Sequence, residues 1–154
     1  METTKNKTTL LIMAAGMGSR FGSLKQLALL GPHKKTLLHY SIYDAVHAGF
    51  DKIVFIIRRS FENEFKEAVG KYAESLVETV YCFQEMDQLP GNLPPIQREK
   101  PWGTAHAIWA AKDHIHEPFI AINADDFYGR DAFVKMHDFV ASNTDERCFS
   151  LAGY

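Results

Sequence analysis

Cysteine is scarce in this chain. There are two in 154 residues, Cys82 and Cys148, and they stand far apart with none of the short spacing of a metal site. Long apolar runs are missing as well; none approaches the roughly 18 residues of a membrane span. The opening METTKNKTT has no apolar core of the kind a signal peptide needs. Charge of one sign is not in excess: the net charge of −2 gives no electrostatic basis for binding nucleic acid or an anionic membrane. There is no internal repeat, low-complexity tract or linker, and 154 residues suit one domain better than two. These absences predict a cytoplasmic protein with reduced thiols, with no nucleic-acid partner and no membrane partner.

What is there is an alternation of apolar strands and amphipathic helices in a chain that is 46% hydrophobic and 23% charged, an ordinary globular balance. Residues 8–14 (TTLLIMA) and 52–58 (KIVFIIR) are continuous apolar runs, as in strands buried on both faces. VETVYCF at 77–83 adds a third strand with partial alternation, PFIAIN at 118–123 a fourth buried strand, and CFSLAGY at 148–154 the start of a fifth. Helical spacing marks 36–49, where Leu38, Ile42, Ala45 and Val46 share a face and Gly49 is a natural stop. It marks 61–74 too, through Phe61, Phe65, Ala68 and Val69, with Ser60 as the cap. A further helix over 104–116 has Ala105, Ile108, Trp109 and Ile115 on one side, and a last one over 131–141 turns Phe133, Met136, Phe139 and Val140 inward. Between them lies 84–102, whose four prolines forbid regular structure through most of its length; a loop this long in a small domain is functional or disordered. Alternating strands and helices imply an α/β fold with a mainly parallel sheet, whose ligands bind beyond the carboxyl ends of the strands.

One such end carries LLIMAAGMGSRFGSLKQL, residues 10–27. Three phosphate-binding patterns compete for it. The dinucleotide fingerprint fits Gly16 and Gly18 but finds Phe21 in its last place, and the second strand ends in Arg58-Arg59 where an acidic residue is needed. The P-loop pattern is absent. The third pattern is A-A-G-x-G-x-R followed by a lysine, running from Ala14 and Ala15 to Arg20 and Lys25. It makes sense as a triphosphate cradle: glycines let the backbone come close, their N–H groups point at phosphate oxygens, and the two cations meet negative charge. The alternative is a flexible strand-to-helix turn with two exposed cations.

Asp125 and Asp126 follow the fourth strand directly. Magnesium is usually held by one or two carboxylates together with substrate phosphates and water, and a carboxylate here would face the glycine loop; the alternative is an Asx turn before the next helix, and one of the two aspartates suits that role. Gly103 and Thr104 open a helix that can approach an anion or a base edge, or that Thr104 simply caps. Gln84 ends the third strand with an amide that can donate and accept side by side, as a pyrimidine edge requires, or is an ordinary loop residue. The seven histidines are scattered, and His114 and His116 lack companions for a metal site. Trp109 reads as core; Arg58 and Arg59 either line the cleft or form a solvated strand end, the second reading being favoured.

The motifs together resemble the sugar-phosphate nucleotidyltransferases. MAAGMGSRFGSLKQL is similar to their signature loop, GPHKKTLLHYSIYDAVHAGF to the stretch that leads into their first helix, KPWGTAHAI to their P-x-G-T-A-x-A segment, and INADDFYG to a second signature in which an aspartate holds magnesium. Four motifs in the family's order span residues 10 to 129; Leu24 stands where the family usually has proline. The resemblance implies a Rossmann-like nucleotide-diphospho-sugar transferase fold and transfer of a nucleoside monophosphate from a nucleoside triphosphate to a sugar 1-phosphate, with release of pyrophosphate and with Mg2+ as cofactor. It assigns Ala14, Ala15, Gly16, Gly18, Gln84, Gly103 and Thr104 to the nucleotide, Arg20 and Lys25 to catalysis, and Asp125 to the metal. Family members are typically much longer, with most sugar contacts in their second half. Residues 1–154 therefore read as a single nucleotide-binding domain without that sugar-binding part, one that could self-associate to cover open sheet surface. Since the attacking oxygen already belongs to a phosphate, alignment and charge neutralisation suffice, in keeping with the lack of a Ser-His-Asp or Cys-His set. The same loop also fits a transferase for a non-sugar acceptor, of phosphocholine or molybdopterin type, a non-catalytic nucleotide-binding module, and, third, a Rossmann oxidoreductase.

Overall fold

A computed structural model describes residues 7–16, 29–30, 32, 35–91, 102–143, 145 and 147–153. Its centre is the run expected to be buried on both faces. Strand β1 (Thr9–Met13) is flanked by two parallel neighbours, and β2 (Leu29–Leu30) and β3 (Lys35–Thr36) form a short antiparallel pair apart from it. Helix α1 (Leu37–Ala48) leads to β4 (Lys52–Ile57), every residue of which is buried. The Thr36 N–H donates to His39 Nδ1 at 3.2 Å to open α1, and Gly49, at φ 114°, closes it with its N–H on the carbonyls of Ala45 and Val46.

After β4 the chain makes a short 3-10 turn over Arg59–Phe61, then α2 (Glu62–Phe65), a π turn over Lys66–Gly70 and α3 (Lys71–Glu74). The single regular helix expected over 61–74 is thus broken, and Ser60 lies inside the 3-10 turn instead of capping a helix. Phe65, Val69 and Ala73, four apart, are all buried, and the π turn lies between the first and the last of them.

Strand β5 (Glu78–Phe83), helix α4 (Thr104–Ala110), strand β6 (Phe119–Asn123) and helix α5 (Arg130–Ser142) complete the domain. Helix α4 stops short of the expected 116 because its end tightens into three-residue turns, with Ala111, Lys112 and His114 each bonding the carbonyl three residues back. The sheet runs β5-β4-β1-β6, all parallel. Successive side chains of its central strands go to opposite faces. Leu10, Ile12, Ile53, Phe55 and Ile57 pack with residues of α1, α3 and α5, while Leu11, Val54 and Ile56 pack with Ala107 of α4.

Three expectations are corrected. Strand β6 is an edge among the described strands and only partly buried. In α5 the inward stripe is Phe133, His137 and Val140 with Met136 partly buried against the same core, and Phe139 falls outside it at 39% exposure. Residues 148–153 form no strand, and Leu151 is fully exposed, with no burial to favour one.

Candidate functional site

Strand order reverses at β1. The chain leaves it for β4 and β5 on one side, and β6 lies on the other, so the crevice between the carboxyl ends of β1 and β6 is a topological switch point. Met13 is level with Asn123, and the Ala124 N–H donates to the Met13 carbonyl at 3.2 Å, so the two chains leave the sheet side by side. Ala14 is tied the other way, to the Ile56 carbonyl at 2.8 Å. The glycine loop and the aspartate pair therefore begin at one edge of the molecule. Of the predicted residues, Ala14, Ala15, Gly16 and Asp125 are brought together there. Gly18, Arg20 and Lys25 lie outside the described residues, as does 92–101 of the long loop.

The two aspartates have different surroundings. Asp126 Oδ2 accepts from Asn123 Nδ2 at 2.8 Å and from the Tyr128 hydroxyl at 3.4 Å, which makes it the turn-forming member. Asp125 is exposed, and among the described residues nothing pairs with its carboxylate. No three potential metal ligands cluster among the described residues. Magnesium commonly accepts one or two protein carboxylates with phosphate and water completing its shell, and Asp125 could supply one such carboxylate.

Gly16 and Gly103 share a property. A Cβ added at either meets no heavy atom within 4 Å, and neither has a positive φ. Neither packing nor backbone conformation asks for glycine there. What the missing side chains leave is room for something to approach the backbone.

The far side of the edge is drawn together by Gln84. Its backbone N–H continues the ladder to the Ile57 carbonyl, and its side-chain Nε2 donates to the carbonyls of Trp102 at 2.8 Å and Gly103 at 3.3 Å, with His106 Nδ1 also at 3.3 Å. The amide thus joins the end of β5 to the start of α4, where Gly103 and Thr104 sit. Its donor half is committed to the protein, which among the described residues leaves Oε1 as the end of the amide that a ligand could meet. The Trp102 indole N–H on the Met86 carbonyl, 3.0 Å, and His106 Nε2 beside the Gln88 carbonyl, 2.5 Å, close the base of the long loop. Trp109, expected in the core, is partly exposed, with the Lys112 ammonium 4.9 Å above its ring.

Sequence reasoning weighed Arg58 and Arg59 together and favoured a solvated end for both. Arg59 is indeed solvated, reaching Glu85 at 3.3 Å, but Arg58 is half-buried and its Nε–H donates to the Ala15 carbonyl at 2.9 Å. The signal was in the register: with Met13 level with Ile56, Ala15 is level with Arg58.

The nucleotidyl transferase family model matches residues 9–152. Among relatives, the UTP–glucose-1-phosphate uridylyltransferase of Bacillus subtilis (strain 168) is 28% identical over 130 residues, 75% of this chain and 43% of its own length. The bifunctional protein GlmU of Staphylococcus haemolyticus (strain JCSC1435) is 30% identical over 107 residues, 70% of this chain and 19% of its own. Among solved structures, a UDP-glucose pyrophosphorylase complexed with UDP-glucose superposes with a TM-score of 0.58 at 21% identity, covering 86% of this chain and 53% of that one. Rv0371c from Mycobacterium tuberculosis H37Rv gives 0.59 at 20%, covering 88% and 60%. These likenesses show the Rossmann-like fold, a parallel sheet between helices, and the chain spans from a fifth to three fifths of the length of these proteins. With the family model running almost the whole length of the chain, the protein belongs to the nucleotidyl transferase family.

Proposed function

We propose that this chain binds a nucleoside triphosphate at the β1/β6 switch point and serves the transfer of its nucleoside monophosphate to a sugar 1-phosphate, with release of pyrophosphate. The observation that carries the reading is the pairing, at one strand edge, of a glycine that neither packing nor conformation requires with an aspartate carboxylate that nothing described engages. The names of the relatives support a uridine nucleotide and glucose 1-phosphate as first substrates to try.

In this reading Ala14, Ala15, Gly16 and Gly18 present backbone N–H groups to the polyphosphate. Arg20 neutralises the leaving pyrophosphate and Lys25 the phosphates around the reacting phosphorus. Gly103 and Thr104 face the base and sugar, and Gln84 holds that segment in place while offering Oε1. Asp125 would hold magnesium, which supplies charge neutralisation to the phosphates when bound. No protein nucleophile is used, and the work of these residues is alignment and charge.

The test is a pyrophosphate-release assay with UTP, glucose 1-phosphate and magnesium. Lys25→Ala and Asp125→Ala are each expected to lower kcat/KM by on the order of a hundredfold or more. Near-unchanged rates in both would reject the assignment. Tight triphosphate binding without pyrophosphate release from any sugar phosphate would instead mark a binding module.

A further inference from the structure

We propose that Arg58 is a positioning residue: it holds the peptide between Ala15 and Gly16 so that the Gly16 N–H is aimed outward as the first donor of an anion cradle. The proposal rests on the nucleotide-binding reading above and adds to it a residue from a different strand. The Arg58 Nε–H donates to the Ala15 carbonyl at 2.9 Å. No peptide bond described is cis, so within this plane the carbonyl and the following N–H point in opposite directions. The carbonyl faces Arg58; the Gly16 N–H must therefore face away from it. Gly16 is exposed, its N–H has no partner among the described residues, and a Cβ there would meet nothing within 4 Å.

A clamp is needed because of the glycine itself. A peptide preceding glycine turns over by paired rotation of ψ at one residue and φ at the next, and glycine accepts either sign of φ. A cradle donor free to rotate would have to be ordered at the moment of binding, which weakens binding. Arg58 is suited to prevent this. Its Cζ lies 5.8 Å from the ring of Phe61, which steadies the side chain. Nη2, the terminal nitrogen on the same edge as Nε–H, is buried and has no partner among the described residues. A buried guanidinium donor without an acceptor is unfavourable, and it is tolerated here together with the grip on Ala15. No carboxylate among the described residues pairs with Arg58, whereas Arg59 is paired with Glu85. Among the described residues the positive charge of Arg58 therefore stands unneutralised behind the peptide it holds.

Two substitutions separate the hydrogen bond from the charge. Arg58→Gln places an amide N–H as many bonds from Cα as the Nε–H and removes the charge. Arg58→Met keeps the stem and removes the donor. In the full chain, three quantities are measured: affinity for UTP with magnesium, affinity for inorganic tripolyphosphate, and the Gly16 amide cross-peak in 1H–15N spectra. Arg58→Met is expected to lose about tenfold in affinity for both probes and to shift or broaden the Gly16 peak, while Arg58→Gln stays within about threefold and keeps the peak. Unchanged binding with an unmoved Gly16 peak in Arg58→Met overturns the proposal, as does an Arg58→Gln that falls as far as Arg58→Met, which would assign the effect to charge. If the unsubstituted chain binds neither probe, the nucleotide reading fails by itself; a Gly16 peak that still responds to methionine and not to glutamine then upholds the clamp, and one that does not respond overturns it. Should Arg58→Met fail to fold, Arg58→Gln decides alone: retained affinity and peak position uphold the clamp, a tenfold loss overturns it.

Discussion

Glu117 shows how much a single carboxylate can be constrained. It precedes β6, and its Oε1 accepts from the Thr9 hydroxyl and from Lys52 Nζ at 2.9 Å, while Oε2 accepts from the His116 N–H at 3.0 Å. Lys52 Nζ also donates to the His114 carbonyl at 2.5 Å. Burial alone would raise the carboxyl's pKa, but the donors from Thr9, Lys52 and His116 outweigh it and hold the group at about 2, against 4.5 for a free glutamate. A lowered folded-state value means that the stabilisation is complete above 4.5 and is lost as pH falls from there through 2. Discounted for the part of the pair that water reaches, its size is about 1–2 kcal/mol. Urea midpoints measured between pH 6 and 2 are expected to show this loss in the parent chain, and Glu117→Gln is expected to start about 1–2 kcal/mol lower and to lack that component of the acid slope. Identical slopes in the two proteins would exclude Glu117 as its source. At this scale the sequence was illegible where a side chain's role depends on a distant partner. Neither the 43-residue separation of Arg58 from Ala15 nor the 65-residue one of Lys52 from Glu117 leaves a local pattern.

The broken helix between β4 and β5 carries the clearest packing constraint among the elements. Gly70 ends the π turn, and a Cβ there would stand 2.2 Å from the Tyr81 hydroxyl oxygen and 3.2 Å from its ring carbon. That hydroxyl is held by Glu74 Oε1 at 2.7 Å, and the Tyr81 ring lies stacked on Phe55 with centroids 5.8 Å apart, so the obstacle has little room to move. Two effects of Gly70→Ala oppose each other. Alanine in a helix gains about 0.5–1 kcal/mol over glycine. Overpacking against a fixed group costs about 1–3 kcal/mol. The clash wins, and Gly70→Ala is expected to destabilise by about 1–2 kcal/mol. Adding Tyr81→Phe removes the oxygen at 2.2 Å and should recover part of that loss, which a double-mutant cycle by thermal melting would read. Additive effects of the two substitutions would mean that the hydroxyl yields freely. Helix 61–74 was readable from its apolar stripe; the π turn was not, since a spacing of four can be met by a slipping α-helix and only the neighbouring strand decides otherwise.

For the molecule as a whole, the alternation of strands and helices, and with it the parallel sheet and the edge where a ligand would bind, was readable because apolar runs and helical stripes are local patterns. Strand order is not local, and it is strand order that sets the carboxyl end of β1, which leads to Gly16, beside that of β6, which leads to Asp125. The same topology separates two jobs along the strands. Thr9 and Lys52 open β1 and β4, so the Glu117 network ties the amino ends of the sheet, whereas Gly16, Arg58 and Asp125 lie beyond the carboxyl ends. Substitutions at the two ends share no partner and should act independently. Asp125→Ala removes an exposed carboxylate without a described partner, so its melting temperature should stay within about 0.5 kcal/mol of the parent in free-energy terms while triphosphate-dependent stabilisation in the presence of magnesium disappears. Glu117→Gln should do the reverse, melting lower by about 1–2 kcal/mol yet gaining as much from added UTP as the parent does. The double variant should show both effects in full. If Glu117→Gln also abolished the gain from UTP, the ends would be coupled through β1, and the sheet would transmit strain between its anchor and its site instead of keeping them apart.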